Sequence, residues 1–406
     1  MKILFISQYY PPEIGAASNR IGYFAQFLAK KGHEVSVLTS APNYPDRKIY
    51  PGYQNRMTKE KENGVMVYRT WIFLSTKANV ASRLAHYLSF LISSVIQKFR
   101  IPKPDIIIAT SPPLFVGIIG VIFKKLWRRP LVVDIRDLWP ESVESVGAVK
   151  NKLLLSQGQK MADWIYKNAT HITSTSPGIQ KNLPKNIQNK ITIIPNGAEM
   201  GLFRSDADSE HMRRRWNLAG KFVVAYTGNL GLAQAPEVFI EAAKLCENET
   251  DIVFLLVGSG VLFKKLKHEA TENNLTNVIL TGPQPRKIMP DFVAASDVCI
   301  IPYRARDTFR NTYPSKMFDY MAGGKPIIIN LKGEASDLIE KANCGLIADE
   351  ESGESLKQKI LWLKRQPETT AQMGLNGKEF VEKYYVREVI AAQLEETLLS
   401  CRNLRM

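Results

Sequence analysis

Residues 311–329 read NTYPSKMFDYMAGGKPIII. Pro314 fixes the entry of a helix, and Ser315 offers a side-chain oxygen as its N-cap. Gly323 and Gly324 end that helix, and Pro326 opens an unbroken apolar run over 327–329. A second apolar run, VCIIPY (298–303), comes just before. Strand, short helix and strand, with no polar alternation in either strand, predict a β–α–β unit whose strands are covered on both faces. A parallel sheet between helical layers supplies that cover. Two charges interrupt the helix. Lys316 and Asp319 are three apart and share a face. Lys316 lies at the helix start, where free N–H groups and an ammonium both attract phosphate. An exposed carboxylate at Asp319 would accept hydrogen bonds from two ribose hydroxyls. An ordinary surface pair worth ~0.2–0.5 kcal/mol has the same spacing, and the pattern leaves both readings open.

The same rhythm runs along the chain. Strand-like runs are KILFIS, EVSVLTS, VMVYRT, DIIIAT, PLVVDI, HITSTS and ITIIPN, then FVVAYTG, IVFLLVG, NVILTG, VCIIPY, PIIIN and CGLIA. Helical stretches, such as 18–31, 78–99, 235–247 and 334–342, separate most of them, which predicts α/β layers. The rhythm restarts after IPNGAEMGLF (194–203) and a polar segment, with a new strand at Phe222. Two doubly wound domains are therefore expected, over 1–200 and 201–384. They would face a central cleft, with ligands at the C-terminal ends of the strands. A last helical stretch, about 377–403, has no strand after it, and residues 385–406 would pack back on the first domain.

The chain has 406 residues, of which 45% are hydrophobic, enough for two cores. Residues 1–200 carry 27 Lys+Arg and 12 Asp+Glu, and residues 201–406 carry 27 and 27, so the whole excess of +15 lies in the first half. That half is expected to face an anionic surface or substrate. Nucleic acid is disfavoured, because no aromatic platforms interleave with the basic residues. The four cysteines form no CxxC and suit a reducing compartment. The N-terminus lacks the features of a signal peptide, and no apolar run reaches the ~20 residues of a spanning helix. A cytoplasmic protein is expected, with contact at the inner face of the membrane. Residues 78–103, flanked by Arg83, Lys98, Arg100 and Lys103, fit an interfacial helix or a core helix equally well.

Several loops after strands hold candidates. QYYPPEIGAASNR places Gly15 and small residues before a helix. VVDIRDLWPES ends an apolar strand with Asp134, Arg136, Asp137 and Glu141, charges that need pairing or a cleft. AYTGNLGLAQAPE offers the N–H groups of Gly228 to Gly231 to a diphosphate. VGSGVLFKK adds Gly258 and Gly260, but neither loop completes GxGxxG or GxxxxGK[ST]. The five histidines are scattered. Asp206 and Asp208 lie in a polar linker, where acidic runs are usually solvated, so no metal is expected.

Taken together, ISQYYPPEIGAASNR, GHEVSVLTS, RDLWPES, IPNGAE, YTGNLGLAQAPE, LLVGSG and PSKMFDYMAGGKPIII resemble the retaining GT-B glycosyltransferases of family four. The likeness is to the polysaccharide-assembly branch with O-antigen and colanic-acid fucosamine-type transferases. It implies two Rossmann-like domains, a nucleotide-sugar donor held by the second and an acceptor bound by the first. The family's E-x7-E motif puts its ribose ligand on Asp319 and its first acid on Asn311. The family's histidine before an aspartate falls on Arg136, with Asp137 retained. Its phosphate-binding Arg and Lys fall on Asn229 and Gln234, so Lys316 with Arg304 or Arg306 is expected to supply that charge.

The resemblance implies transfer of a sugar, with retention and no metal or other cofactor. The expected donor is a nucleotide-diphosphate sugar, with a UDP-sugar favoured, its sugar an N-acetylated amino or deoxy sugar. The acceptor would be lipid-linked or saccharide, in synthesis of O-antigen, capsule or another surface polysaccharide. Arg136, Asp137 and Glu141 would shape the reacting side. A GT-B sugar-nucleotide 2-epimerase or a non-catalytic nucleotide-sugar-binding protein are the alternatives.

Overall fold

The computed structural model describes residues 1–75, 80–147, 149, 151–203 and 208–403. They form two units, Met1–Pro195 with Glu388–Met406 and Asn196–Arg387.

The first unit is built on eight strands: β1 (Lys2–Ile6), β2 (Glu34–Ser40), β3 (Thr58–Glu62), β4 (Val65–Thr70), β5 (Ile106–Ser111), β6 (Leu131–Ile135), β7 (His171–Ser174) and β8 (Ile191–Ile193). Their order is β3-β4-β2-β1-β5-β6-β7-β8. All neighbours are parallel except β3, which runs antiparallel to β4. The second unit has six strands: β9 (Phe222–Thr227), β10 (Ile252–Val257), β11 (Val278–Gly282), β12 (Val298–Ile301), β13 (Ile327–Ile329) and β14 (Gly345–Ile347). They are all parallel, in the order β11-β10-β9-β12-β13-β14. Two doubly wound α/β layers are thus present, as the strand runs predict.

Burial on both faces is visible residue by residue. Along β9 and β10, Val223, Ala225, Val253, Leu255 and Val257 enter one apolar cluster. Their neighbours Val224, Tyr226, Ile252, Phe254 and Leu256 enter another. Successive side chains point to opposite faces, so a strand covered twice must be apolar at every position.

The structure departs from the sequence expectations at three elements. β3, TKEKE, has no apolar run to mark it, because it is an edge strand whose charged residues alternate between exposure and partial burial. The single helix expected over 377–403 is two, Pro367–Tyr384 and Arg387–Asn403. Between them Tyr385 leaves helical geometry and its carbonyl accepts from Ala198 N at 2.7 Å, while Val386 bridges Ala198. Ser315 is not the cap of its helix. Pro314 holds the cap position without a side-chain bond, and Ser315 is the first residue of Ser315–Ala322.

Each sheet reverses its winding beside its first strand. In the second unit the chain moves outward from β9 through β10 to β11, then returns to lay β12 on the other side of β9. The C-terminal ends of β9 and β12 therefore form the switch point of the sheet, the place where open α/β sheets take ligands. In the first unit the equivalent point lies between β1 and β5.

Candidate functional site

Close backbone contact shapes the site at the β9–β12 reversal. Gly258 has φ +143, and a Cβ there would lie 1.9 Å from the Gly228 carbonyl oxygen. A Cβ on Gly260 would lie 2.4 Å from Leu230 O and 2.6 Å from Asn229 Oδ1. Glycine is required at both positions because another backbone occupies the space a side chain would fill. The two loops are also bonded, Gly228 N to Val257 O at 2.8 Å and Leu230 N to Ser259 O at 2.9 Å. Gln234 and Asn229 flank Gly231, whose added Cβ would meet Asn229 Nδ2 at 2.7 Å and Gln234 Oε1 at 2.8 Å.

Lys316 reaches the same loop. Its Nζ is 3.6 Å from the Tyr226 ring centroid and 3.4 Å from a Cβ built on Gly228. Burial pushes this ammonium well below the ordinary lysine range, against the opposing charge of Asp319. An incoming anion would reverse that shift. Tyr320, on the same helix, accepts from Thr227 N through its hydroxyl at 2.8 Å and ties the helix to the end of β9.

Lys316 and Asp319 are not the paired surface charges their spacing suggests. Asp319 is 8% exposed, not an open carboxylate. Arg286 grips it with both guanidinium arms, Nη1 to Oδ2 at 2.6 Å and Nη2 to Oδ1 at 2.7 Å. The pair fixes the carboxylate's orientation while leaving it capacity to accept further bonds. Arg286 was missed by sequence reasoning. It stands in the polar loop PQPRK after β11, and its one signal is that an acid on a buried helix face needs a cation.

Arg304 lies at the β12 end, where it braces the opposing loop and is not a spare charge. Nε donates to Leu232 O at 2.9 Å, Nη2 to Glu237 Oε1 at 2.9 Å, and its backbone N to Ala233 O at 3.0 Å. Arg306 is exposed, with Nη1 on the carbonyl of Ala305. Asn311 donates from Nδ2 to Asp307 O at 3.1 Å. Six buried polar atoms of this unit lack a partner among the described residues, among them Gln234 Oε1, Glu237 Oε2, Arg286 Nε and Asn330 Nδ2. A cradle of glycines with a desolvated ammonium and unused polar atoms fits a polyanionic, polar ligand.

The first unit holds the other candidates. Gly15 precedes the helix Ala16–Lys30 in extended backbone, beside Tyr44. Arg136 leaves β6 and bonds the end of β5, through Nε to Thr110 Oγ1 at 2.8 Å and Nη2 to the Pro112 carbonyl. Burial pushes the adjacent Asp137 carboxyl up, and Arg136 opposes the shift. Glu141 opens the short helix Glu141–Ser145 with Oε2 buried and unpartnered among the described residues. Asp134 is a structural charge. It is held by Arg20 at 2.8 and 3.0 Å and by Thr173 at 2.7 Å, while Arg20 also caps the carbonyls of Ile194 and Pro195. Glu13, not singled out from sequence, accepts from the backbone N of Tyr10, Asn43 and Tyr44 and so shapes the loop after β1. Among the described residues no three His, Cys, Asp or Glu converge as metal ligands. Asp206 lies outside the described residues, and Asp208 caps the helix Ser209–Arg215.

Comparison with known proteins covers both units. Residues 208–380 match the family Glycosyl transferases group 1, and residues 15–197 match the Glycosyl transferase 4-like domain. WcaI of Escherichia coli (strain K12), named for glycosyl transfer in colanic acid biosynthesis, is 26% identical over 407 residues, spanning 97% of this chain and 98% of that protein. A GDP-mannose-dependent alpha-mannosyltransferase of Mycolicibacterium smegmatis is 24% identical over 355 residues, 86% of this chain and 84% of that one. Among solved structures, Anabaena HepE with UDP-glucose superposes with a TM-score of 0.73 at 19% identity, covering 98% of this chain and all of that one. Sucrose-phosphate synthase of Thermosynechococcus elongatus gives 0.78 at 19% identity, with 97% of each chain covered.

Proposed function

The chain belongs to the glycosyl transferases group 1 family, with the GT-B fold, and on that premise we propose that it transfers a sugar, with retention, from a UDP-sugar to a lipid-linked or saccharide acceptor of a bacterial surface polysaccharide. The observation that carries the proposal is the cradle at the β9–β12 reversal. Gly228, Gly258 and Gly260 bring bare backbone together, and Lys316 sets an ammonium over it. A diphosphate is the ligand whose charge this arrangement answers. The ribose would bond Asp319, held in place by Arg286, and the donor sugar would extend toward Asn311.

In the reaction, the bond from the anomeric carbon to the diphosphate oxygen breaks and the acceptor oxygen bonds to that carbon from the same face. The acceptor proton passes to a phosphate oxygen of the departing diphosphate. Lys316 and the loop N–H groups stabilise the negative charge that grows there. The departures at Asn229 and Gln234 remove the cations resembling transferases carry, which concentrates that task on Lys316. Arg136, Asp137 and Glu141 are assigned to the acceptor and reacting-sugar side. The work of such an enzyme on a lipid-linked acceptor puts it at the inner face of the membrane.

The UDP bound in HepE and the colanic acid naming of WcaI support this donor and pathway class. The GDP-mannose-dependent relatives make GDP the competing nucleotide. Calorimetry with UDP, GDP and their sugar conjugates tests the reading, followed by mass analysis of products with and without a lipid-linked saccharide. Binding of UDP and acceptor-dependent sugar transfer are expected. Tighter binding of GDP would change the donor, and epimerised nucleotide sugar without acceptor would replace the reaction.

A further inference from the structure

We propose that the helix Val80–Gln97 docks the first unit on an anionic lipid surface through an apolar stripe that faces away from the protein. The proposal deepens the reading above and rests on it for the lipid-linked acceptor. Its surface belongs to residues 57–73 and 80–103.

This helix is inside out. Its buried residues are His86, Ser89, Phe90, Ser93, Ser94 and Gln97, all but one of them polar. Its exposed residues include Val80, Leu84, Leu88, Ile92 and Ile96, with Ile92 57% and Ile96 53% exposed. The inversion has a local cause. The segment after β4 is not part of the sheet, and side chains bond its backbone, Asn55 at Ile72 and the helix's buried polar residues at Trp71 and Phe73. Ser93 Oγ donates to Trp71 O at 2.7 Å, Ser89 Oγ accepts from Phe73 N at 2.8 Å, and His86 Nδ1 bonds Phe73 O at 2.8 Å. Phe90, Leu91 and Val95 hold the helix on the core, polar residues fill much of the rest of its inner face, and Leu84, Leu88, Ile92 and Ile96 are left outward.

The outward face continues beyond the helix. Trp71 and Phe73 add exposed rings beside it, and Phe99 at its C-terminal end is 85% exposed. Met57, Trp71, Phe73, Leu88, Ile92 and Ile96 line a shallow groove of about 440 Å³. Water disfavours such a contiguous patch, and lipid does not.

Charge identifies the occupant. No Asp or Glu occurs between Glu62 and Asp105, whereas Arg83, Lys98, Arg100 and Lys103 do. Arg100 and Lys103 are exposed where the helix ends. A second copy docked on this face by two-fold symmetry would set like charges together. A bilayer with anionic headgroups matches both parts, with acyl chains for the stripe and phosphates for the basic rim. No described helix is long and apolar enough to cross a membrane, so the contact lies in the interface.

The test is co-sedimentation of the full chain with vesicles of phosphatidylcholine, with and without phosphatidylglycerol. Salt-sensitive binding to the anionic vesicles is expected. Leu88→Glu with Ile92→Glu should weaken it on the order of tenfold or more. Arg100→Glu with Lys103→Glu should remove the preference for phosphatidylglycerol without touching the apolar stripe. The proposal is overturned if the wild-type chain stays in the supernatant, or if the Leu88/Ile92 variant binds as well as wild type. It is also overturned if the chain forms a dimer that the variant breaks. Calorimetric titration of the same samples with UDP keeps the two readings apart. UDP binding without vesicle binding removes only the lipid surface, and vesicle binding without UDP binding removes only the donor site.

Discussion

At the scale of single residues, Gly258 has the least latitude. Its positive φ and the Gly228 carbonyl 1.9 Å from an added Cβ leave no room for alanine. Gly258→Ala should destabilise the second unit by about 3 kcal/mol or more, whereas Gly201→Ala, with open space around it, should be nearly neutral. Paired melting curves check the contrast. Lys316 makes a pH prediction. Burial lowers its folded pKa, so the folded state releases its proton before the unfolded chain does, and folding stability from this group rises with pH across that interval. Diphosphate binding runs the other way, because it needs the ammonium and should weaken as pH rises through the folded pKa. Calorimetry in buffers of different ionisation enthalpy should show proton uptake on binding. Lys316→Ala should abolish the uptake and weaken binding on the order of tenfold to a hundredfold, as loss of a charged hydrogen bond implies. Unchanged affinity would remove Lys316 from the site.

At the scale of elements, β3 shows how a charged strand is retained. Arg69 on β4 is 1% exposed, and its guanidinium is answered by Glu60 and Glu62 from β3 and by the Pro11 carbonyl. The acids point inward from an edge, which both neutralises Arg69 and blunts the edge against further strand pairing. Replacing both with glutamine leaves a buried cation with its charge unanswered. A loss of about 3 kcal/mol is expected, with faster amide exchange in β3 and β4. Exchange unchanged from wild type would show that the ion pairs do not hold the edge. The helix Ser315–Ala322 teaches a related lesson, since its lysine and aspartate share a face yet answer to different partners, Tyr226 and Arg286.

For the whole molecule, the two units should respond separately to a nucleotide. UDP at about a hundred times its dissociation constant should stabilise the unit that binds it by about 2.7 kcal/mol. Hydrogen exchange should slow in the loops over 228–236, 258–262 and 302–316. Protection confined to the first unit would place the donor elsewhere. The net excess of +15 lies wholly within residues 1–200. It belongs to the unit whose Val80–Gln97 helix turns its aliphatic side outward.

The sequence by itself determined the layered α/β architecture. A strand buried on both faces must be apolar at each position, and a run such as 327–329 cannot hide that requirement. It also marked Gly258 and Gly260 after a strand, and both lie against the backbone of another loop. Only the tertiary structure decided what each charge does. Asp134 looked like Asp137 in the sequence, yet Arg20, more than a hundred residues away, makes it structural. Asp319 looked open until Arg286, brought in from the loop after β11, closed on it. β3 and the inverted helix stayed illegible for the same reason. Local pattern records whether a residue prefers water, while its partner is set by contacts the chain makes only once it has folded.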